Sequence, residues 1–251
     1  MPVTIASTGG MSIPTVVRGQ SARSYLKMEW DYPVFKVEQK KASKGTSAKV
    51  VRRALTREEA LAFIAGNDPR PLLVLRECTV CNGTDEALLK GGIDNEKTFL
   101  IASWFHCVKL PADVLEENHP FHNLFVQKKP EHLFVCSVDG ANHDPLESQT
   151  SRSALWKSLR KLIGKEYKSK PDSRLKSIAK ILDKLDVVDE RLRQLNSRYD
   201  DVLEEDGPDS KGLRKIGKSK TETEADRDDL HEQAAKALAL DLKEKKAKAT
   251  R

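Results

Sequence analysis

The sequence predicts an α/β domain followed by a long helical extension, on three observations. Short continuous apolar runs at Leu72 to Leu75 and Leu133 to Val138 have the length and composition of strands buried on both faces of a covered sheet. Segments with apolar residues at spacings of three and four lie before and after these runs and read as amphipathic helices. Beyond Pro171 the same spacing continues for about 30 residues, far longer than an ordinary globular helix.

Composition narrows the reading. A chain of 251 residues can bury a full core, but only 38% of it is hydrophobic and 33% is charged, so part of the chain is expected to be solvated helix or tail. The net charge of +6 is segregated: residues 1–70 carry 12 Lys/Arg against 6 Asp/Glu, residues 71–150 carry 6 against 12, and residues 151–251 carry 26 against 20. An acidic centre therefore sits between basic flanks. A nucleic-acid binder would show a basic stripe interleaved with aromatics or a reading motif, and the sequence shows neither, which argues against a nucleic-acid partner. Residues 1–30 show no charged leader followed by an apolar stretch, and no run of about 18 apolar residues occurs, so the expectation is a soluble, cytoplasmic protein with no membrane partner. Four cysteines in a reducing compartment, two of them at C-x-x-C spacing, point to redox chemistry or metal binding.

Residues 1–45, rich in Ser, Thr, Gly and Lys, read as an irregular N-terminal arm with one strand near Trp30 to Val37. Residues 46–168 read as the folded domain. Thr56 begins a helix as N-cap, Glu59 completes a capping box, and Gly66 stops it before the turn Asp68-Pro69-Arg70-Pro71. The strand Leu72 to Leu75 leads directly into Cys78-Thr79-Val80-Cys81, and a helix through Ala87, Leu88 and Leu89 is expected to end at Gly91-Gly92. Phe99 to Val108 reads as a second strand, and Leu133 to Val138 as a third, with Asp139-Gly140 as a hairpin turn and a short edge strand returning near Pro145. Leu155, Trp156, Leu159, Leu162 and Ile163 define a closing helix. Residues 172–205 form a long amphipathic helix with a coiled-coil-like seam that Asp189 and Asn196 interrupt. Residues 206–224 have linker composition, and residues 225–247 carry a last helix with a frayed basic tail.

The helix ending at Pro69-Arg70-Pro71, the apolar strand, Cys78 and Cys81, the following helix and strand, Pro130 before the hairpin, and the final helix together resemble the thioredoxin-like superfamily. The resemblance covers roughly residues 50–168. It implies a three-layer sandwich with a mixed central sheet, here bearing the C-terminal helical extension. It also implies thiol–disulfide oxidoreductase activity on a protein or small-molecule disulfide, with no added cofactor. Cys78 would be the nucleophile and Cys81 the resolving thiol, because two intervening residues let the second sulfur reach the first. Pro130 would stand where the family has a cis-proline and would shape the substrate groove. The sequence departs from the family at Glu77, where Trp is usual, at Leu72, where many members have a buried Asp, and at Thr79 and Val80. A carboxylate at Glu77 is expected to disfavour the neighbouring thiolate.

Two other readings stay open at this level. Cys78 and Cys81 supply half of a common zinc site, with His106, Cys107, His119, His122, His132 and Cys136 as completing ligands. The same fold could instead be a non-catalytic scaffold that binds a partner, or a second copy of itself, through the C-terminal helices.

Overall fold

The computed structural model of the chain describes residues 18–35, 53–78, 89, 95–146 and 150–244. Its centre is β2 (Leu72–Arg76), whose five residues are all buried. It pairs parallel with β3 (His106–Leu110) on one side and antiparallel with β4 (Leu133–Cys136) on the other. β1 (Trp30–Asp31) extends the sheet beyond β3 in parallel, and β5 (Asp144–Leu146) extends it beyond β4 in antiparallel, giving the mixed order β1-β3-β2-β4-β5.

Strand alternation divides the core in two. Leu72, Val74, Val108, Leu110, Phe134 and Cys136 face one way, toward α2 (Arg57–Ala65) and two short 3₁₀ turns, Ala112–Leu115 and His122–Leu124. Leu73, Leu75, Cys107, Leu133 and Val135 face the other way, toward α3 (Glu96–Ala102), α4 (Arg152–Glu166) and a pair of long helices. The expected α2 is present with both halves of its capping box: the Thr56 hydroxyl accepts from Glu59 N–H at 3.2 Å, and the Glu59 carboxylate accepts from Thr56 N–H at 2.8 Å. Gly66 ends it at φ 55°, a conformation that favours glycine. The Asp139-Gly140 turn is also formed, with Gly140 at φ 77°, and Ser151 caps α4 through Ala154 N–H.

Three expectations change. The apolar run from Phe99 is not one strand: residues 96–102 are helical, and the strand begins only at His106. α3 is buried against the sheet and the neighbouring helix on nearly all sides, so it lacks the polar face by which a helix is told from a buried strand. Residues 206–224 are not a linker. α5 (Pro171–Asp206) runs to Gly207, and after the turn ending at its N-cap Ser210, α6 (Lys211–Leu238) continues unbroken. Leu213, Ile216 and Thr223 are buried against α5, so sparse apolar contacts hold a helix whose surface composition is that of a linker. The last helix accordingly starts well before residue 225 and ends at Leu238. The described part of the N-terminal arm is also ordered. Within residues 18–35, α1 (Gln20–Arg23) lies against α5 and β1 joins the sheet beside β3. The expected helix through Ala87 lies outside the described residues, although Leu89 is buried in the core.

The helical pair is built into the domain. Leu175, Ile178, Ile181, Leu182 and Leu185 of α5 share the sheet's core with Leu230, Ala234 and Ala237 of α6. The chain after α6 then pairs with the segment after α4, with Lys168 N–H donating to Asp241 O at 2.9 Å and Lys243 N–H to Glu166 O at 2.7 Å. The Trp104 indole donates to Leu238 O at 2.7 Å, and the buried Tyr167 hydroxyl donates to Trp104 O at 2.6 Å. The polar interruption of the seam has a partner: Asp189 accepts from Ser21 N–H at 2.9 Å and from its hydroxyl at 2.6 Å. One turn back, Asp186 accepts from Gly19 N–H at 2.7 Å, and Arg18 bridges Asp183, Asp186 and Glu96. A Cβ at Gly19 would lie 2.6 Å from the Asp189 carboxylate, so any other residue there would have to displace that side chain.

The helical character of residues 211–224 predicts that Lys218→Pro, at an exposed position, costs about 3 kcal/mol, while Lys218→Ala is neutral within roughly 0.5 kcal/mol. Thermal melts of the two variants check this; equal melting temperatures would restore the linker reading.

Candidate functional site

The central strand, buried on both faces, ends in a charged residue whose side chain gathers the neighbouring backbone around it. Arg76 is only 5% exposed. Its side chain reaches across to the segment that precedes β4: Nε donates to Glu131 O at 3.1 Å and Nη2 to Pro130 O at 3.4 Å, while Nη1 donates back to Glu77 O at 3.2 Å. The guanidinium carbon lies 5.8 Å from the Phe125 ring centroid, and Nη2 lies 3.3 Å from the His132 ring nitrogens. One fixed cation thus ties the carbonyl of the residue before Cys78 to the two carbonyls opposite.

The backbone makes the same juxtaposition. β2 and β4 pair Leu75 with Leu133, and Arg76 N–H donates to His132 O at 2.7 Å. Carried onward, that antiparallel register sets Glu77 opposite Glu131 and Cys78 opposite Pro130. Cys78 and Pro130 are both half-buried. Glu77 N–H donates to Leu110 O at 2.8 Å, so the chain leaves the sheet only after Glu77. The site therefore lies at the carboxyl ends of the parallel strands β2 and β3, where α/β sheets open toward ligands.

Cys78 is disulfide-bonded. Cys81 lies outside the described residues. Cys107 and Cys136 are free thiols in opposite halves of the core, and burial pushes each up to about 12, so neither is a nucleophile near neutral pH. No cis peptide occurs among the described residues, so the bond preceding Pro130 is trans, which corrects the cis form that the resemblance implies. Pro130 contributes its carbonyl to Arg76 instead. The expected penalty from Glu77 is moderated, because its carboxylate lies 3.1 Å from the Lys109 ammonium.

The residues offered for zinc do not converge. His106 Nε2 faces Asp31 at 3.3 Å, and His119 accepts from Phe121 N–H at 3.1 Å. His132 lies against the Arg76 cation, and Cys107 and Cys136 point to opposite sheet faces. No group of three or more His, Cys, Asp or Glu able to hold a metal ion occurs among the described residues. Sequence reasoning did not find Arg76 or Lys109, and it offered His132 only as a completing zinc ligand. The available signal was the charge ending the run Leu72 to Arg76, since a basic residue that closes a doubly buried strand needs a partner for its charge.

Comparison of the chain with protein-family models, with curated proteins and with solved structures returned no match. No helix among the described residues is long and apolar enough to cross a membrane.

Replacing Arg76 by Met leaves three carbonyls without this donor and is expected to cost about 2–4 kcal/mol. It also removes a positive charge two residues from Cys78, so the pH at which Cys78 becomes alkylable in the reduced protein should rise, with Arg76→Lys falling between the two. Denaturant melts and iodoacetamide rates against pH measure the two effects separately. A Met variant with an unchanged alkylation profile would limit Arg76 to a structural role.

Proposed function

We propose that the protein is a thiol–disulfide oxidoreductase of the thioredoxin-like type, working through Cys78 and Cys81 on a protein or small-molecule disulfide. The observation that carries this reading is the state and position of Cys78. It is disulfide-bonded and half-buried where the central strand leaves the sheet, whereas the free thiols Cys107 and Cys136 are sealed in the core. The mixed sheet, covered on both faces and followed by a closing helix, supports the same reading, as does the β2–β4 register, which when continued past Leu75 and Leu133 leads toward Cys78 and Pro130.

In the reducing direction the Cys78 thiolate attacks one sulfur of the substrate disulfide, forming a mixed disulfide and expelling the other sulfur as thiolate. Cys81 then attacks the Cys78 sulfur and releases the second substrate thiolate. The substrate gains two electrons and two protons, the protein pair loses them, and a dithiol reductant must restore it. Arg76 acts here as a positioning residue: it fixes the carbonyl of Glu77 relative to those of Pro130 and Glu131. Its charge also favours the thiolate over the thiol.

After mild reduction, native alkylation at pH 8 should modify Cys78 and Cys81 and spare Cys107 and Cys136. A thiol at about 12 is ionised there to roughly one part in ten thousand. With a small aromatic disulfide as substrate, Cys78→Ser should abolish turnover, and Cys81→Ser should accumulate a mixed disulfide visible by intact mass. Turnover that survives Cys78→Ser would refute the assignment.

A further inference from the structure

We propose that the hollow between α4 and the start of α5 is a binding site for a small polyphosphate anion, such as inorganic tripolyphosphate or the phosphate chain of a nucleoside triphosphate. The inference is independent of the cysteine chemistry. The hollow encloses about 540 Å³, a volume suited to a small-molecule ligand. Its wall carries five cations, Lys97, Lys157, Arg160, Lys161 and Lys170, against the single carboxylate of Asp172.

That carboxylate is already engaged by Arg160. Lys157, Lys161 and Lys170 have no ion pair with a described residue. Lys157 and Lys161 stand one turn apart on α4, an arrangement that is repulsive in the absence of an anion. Elsewhere on these helices cations do find carboxylates at this spacing, as Lys236 does with Glu232 at 3.3 Å. Among the described residues four charges are thus left over around one concavity, which matches the charge of a triphosphate and exceeds that of a single carboxylate.

The floor of the hollow is an aromatic ring fixed in place. The Trp156 indole N–H donates to Thr98 Oγ1 at 2.8 Å, and Thr98 in turn donates to Asn95 within the core. The Lys97 ammonium rests 4.5 Å from the Trp156 ring centroid. Lys97 is therefore held by cation–π attraction and is available to a phosphate oxygen at little cost. Because the ring adjoins the cations, anion binding should change Trp156 fluorescence, and a nucleobase would have a surface to stack on.

The test titrates the full-length protein with tripolyphosphate and with ATP, at low ionic strength without divalent metal, by calorimetry and tryptophan fluorescence. Saturable one-to-one binding is expected, and it should weaken at least about tenfold in the Lys157→Glu/Lys161→Glu double variant. Both positions are exposed, so that variant should fold, and its thermal melt should stay close to that of the parent, since one like-charge pair replaces another at the same spacing. Lys211→Glu/Lys215→Glu, the same change of charge roughly 50 Å away along the hairpin, should keep full affinity. Absence of binding by both probes overturns the assignment, as does unchanged affinity in the first variant or equal loss in the second. Tighter binding of ATP than of tripolyphosphate, lost in Trp156→Leu, assigns the site to nucleotides; equal affinities assign it to the phosphate chain alone.

Discussion

Burial of β2 on both faces is the constraint on which the rest of the architecture depends. Leu72 and Val74 project into one half of the core and Leu73 and Leu75 into the other, and all four are essentially inaccessible to water. At about 1.5–3 kcal/mol for each buried branched side chain, that short run contributes as much as the whole margin by which a domain is stable. The gain requires a cover on each side. α2 and the 3₁₀ turns supply one, and α3, α4 and the long hairpin supply the other. A parallel partner is needed on one edge and an antiparallel partner on the other, and the chain leaves the sheet at a fixed point. Cys78 stands at that point because the strand is pinned along its whole length before it.

The portions of the fold legible in the sequence are those whose signals are local. A capping box at Thr56 and Glu59, a glycine at a helix end and an Asp-Gly turn each satisfy backbone groups within a few residues, and each is present in the structure. The portions that were not legible depend on contacts distant in sequence. Phe99 to Ala102 are apolar because α3 is enclosed by the sheet and by α4, and enclosure removes the periodicity that separates helix from strand. Residues 211–224 look like a linker because only Leu213, Ile216 and Thr223 are buried on one side of an otherwise solvated helix. Asp189 breaks a heptad pattern for a reason found 168 residues away, in the backbone and hydroxyl of Ser21.

The candidate site divides in the same way. The cysteine at the strand end is a local feature, and the strand register alone carries it to Pro130. The residues that give the turn its environment come from elsewhere: Lys109 from β3, His132 and the carbonyls of Pro130 and Glu131 from the approach to β4, and Phe125 from beside the second 3₁₀ turn. A buried arginine is costly unless its hydrogen bonds are met. Arg76 meets them in part with main-chain carbonyls of Glu77, Pro130 and Glu131.

Charge segregation along the chain takes on a structural meaning once the elements are placed. The basic N-terminal segment meets carboxylates of both other parts: Arg18 binds Glu96 from the acidic centre and Asp183 and Asp186 from α5. That contact unites four charged side chains, of which Arg18, Glu96 and Asp186 are partly buried and Asp183 is exposed, and its partly buried pairs outlast salt better than pairs on an open surface. It holds the strap carrying β1 along α5. The basic excess of the C-terminal third is handled differently. Along the exposed stretches of α5 and α6 it is interspersed with acids, as in the contacts of Arg193 with Glu190 and Lys236 with Glu232. On α4, Lys157 and Lys161 lie beside Lys97 and Lys170 with no ion pair to a described carboxylate. Repulsion of that kind lowers helix stability by tenths of a kcal/mol at each pair. A fold that matches its charge at Arg18 with three carboxylates leaves the cations around this hollow without such a match among the described residues.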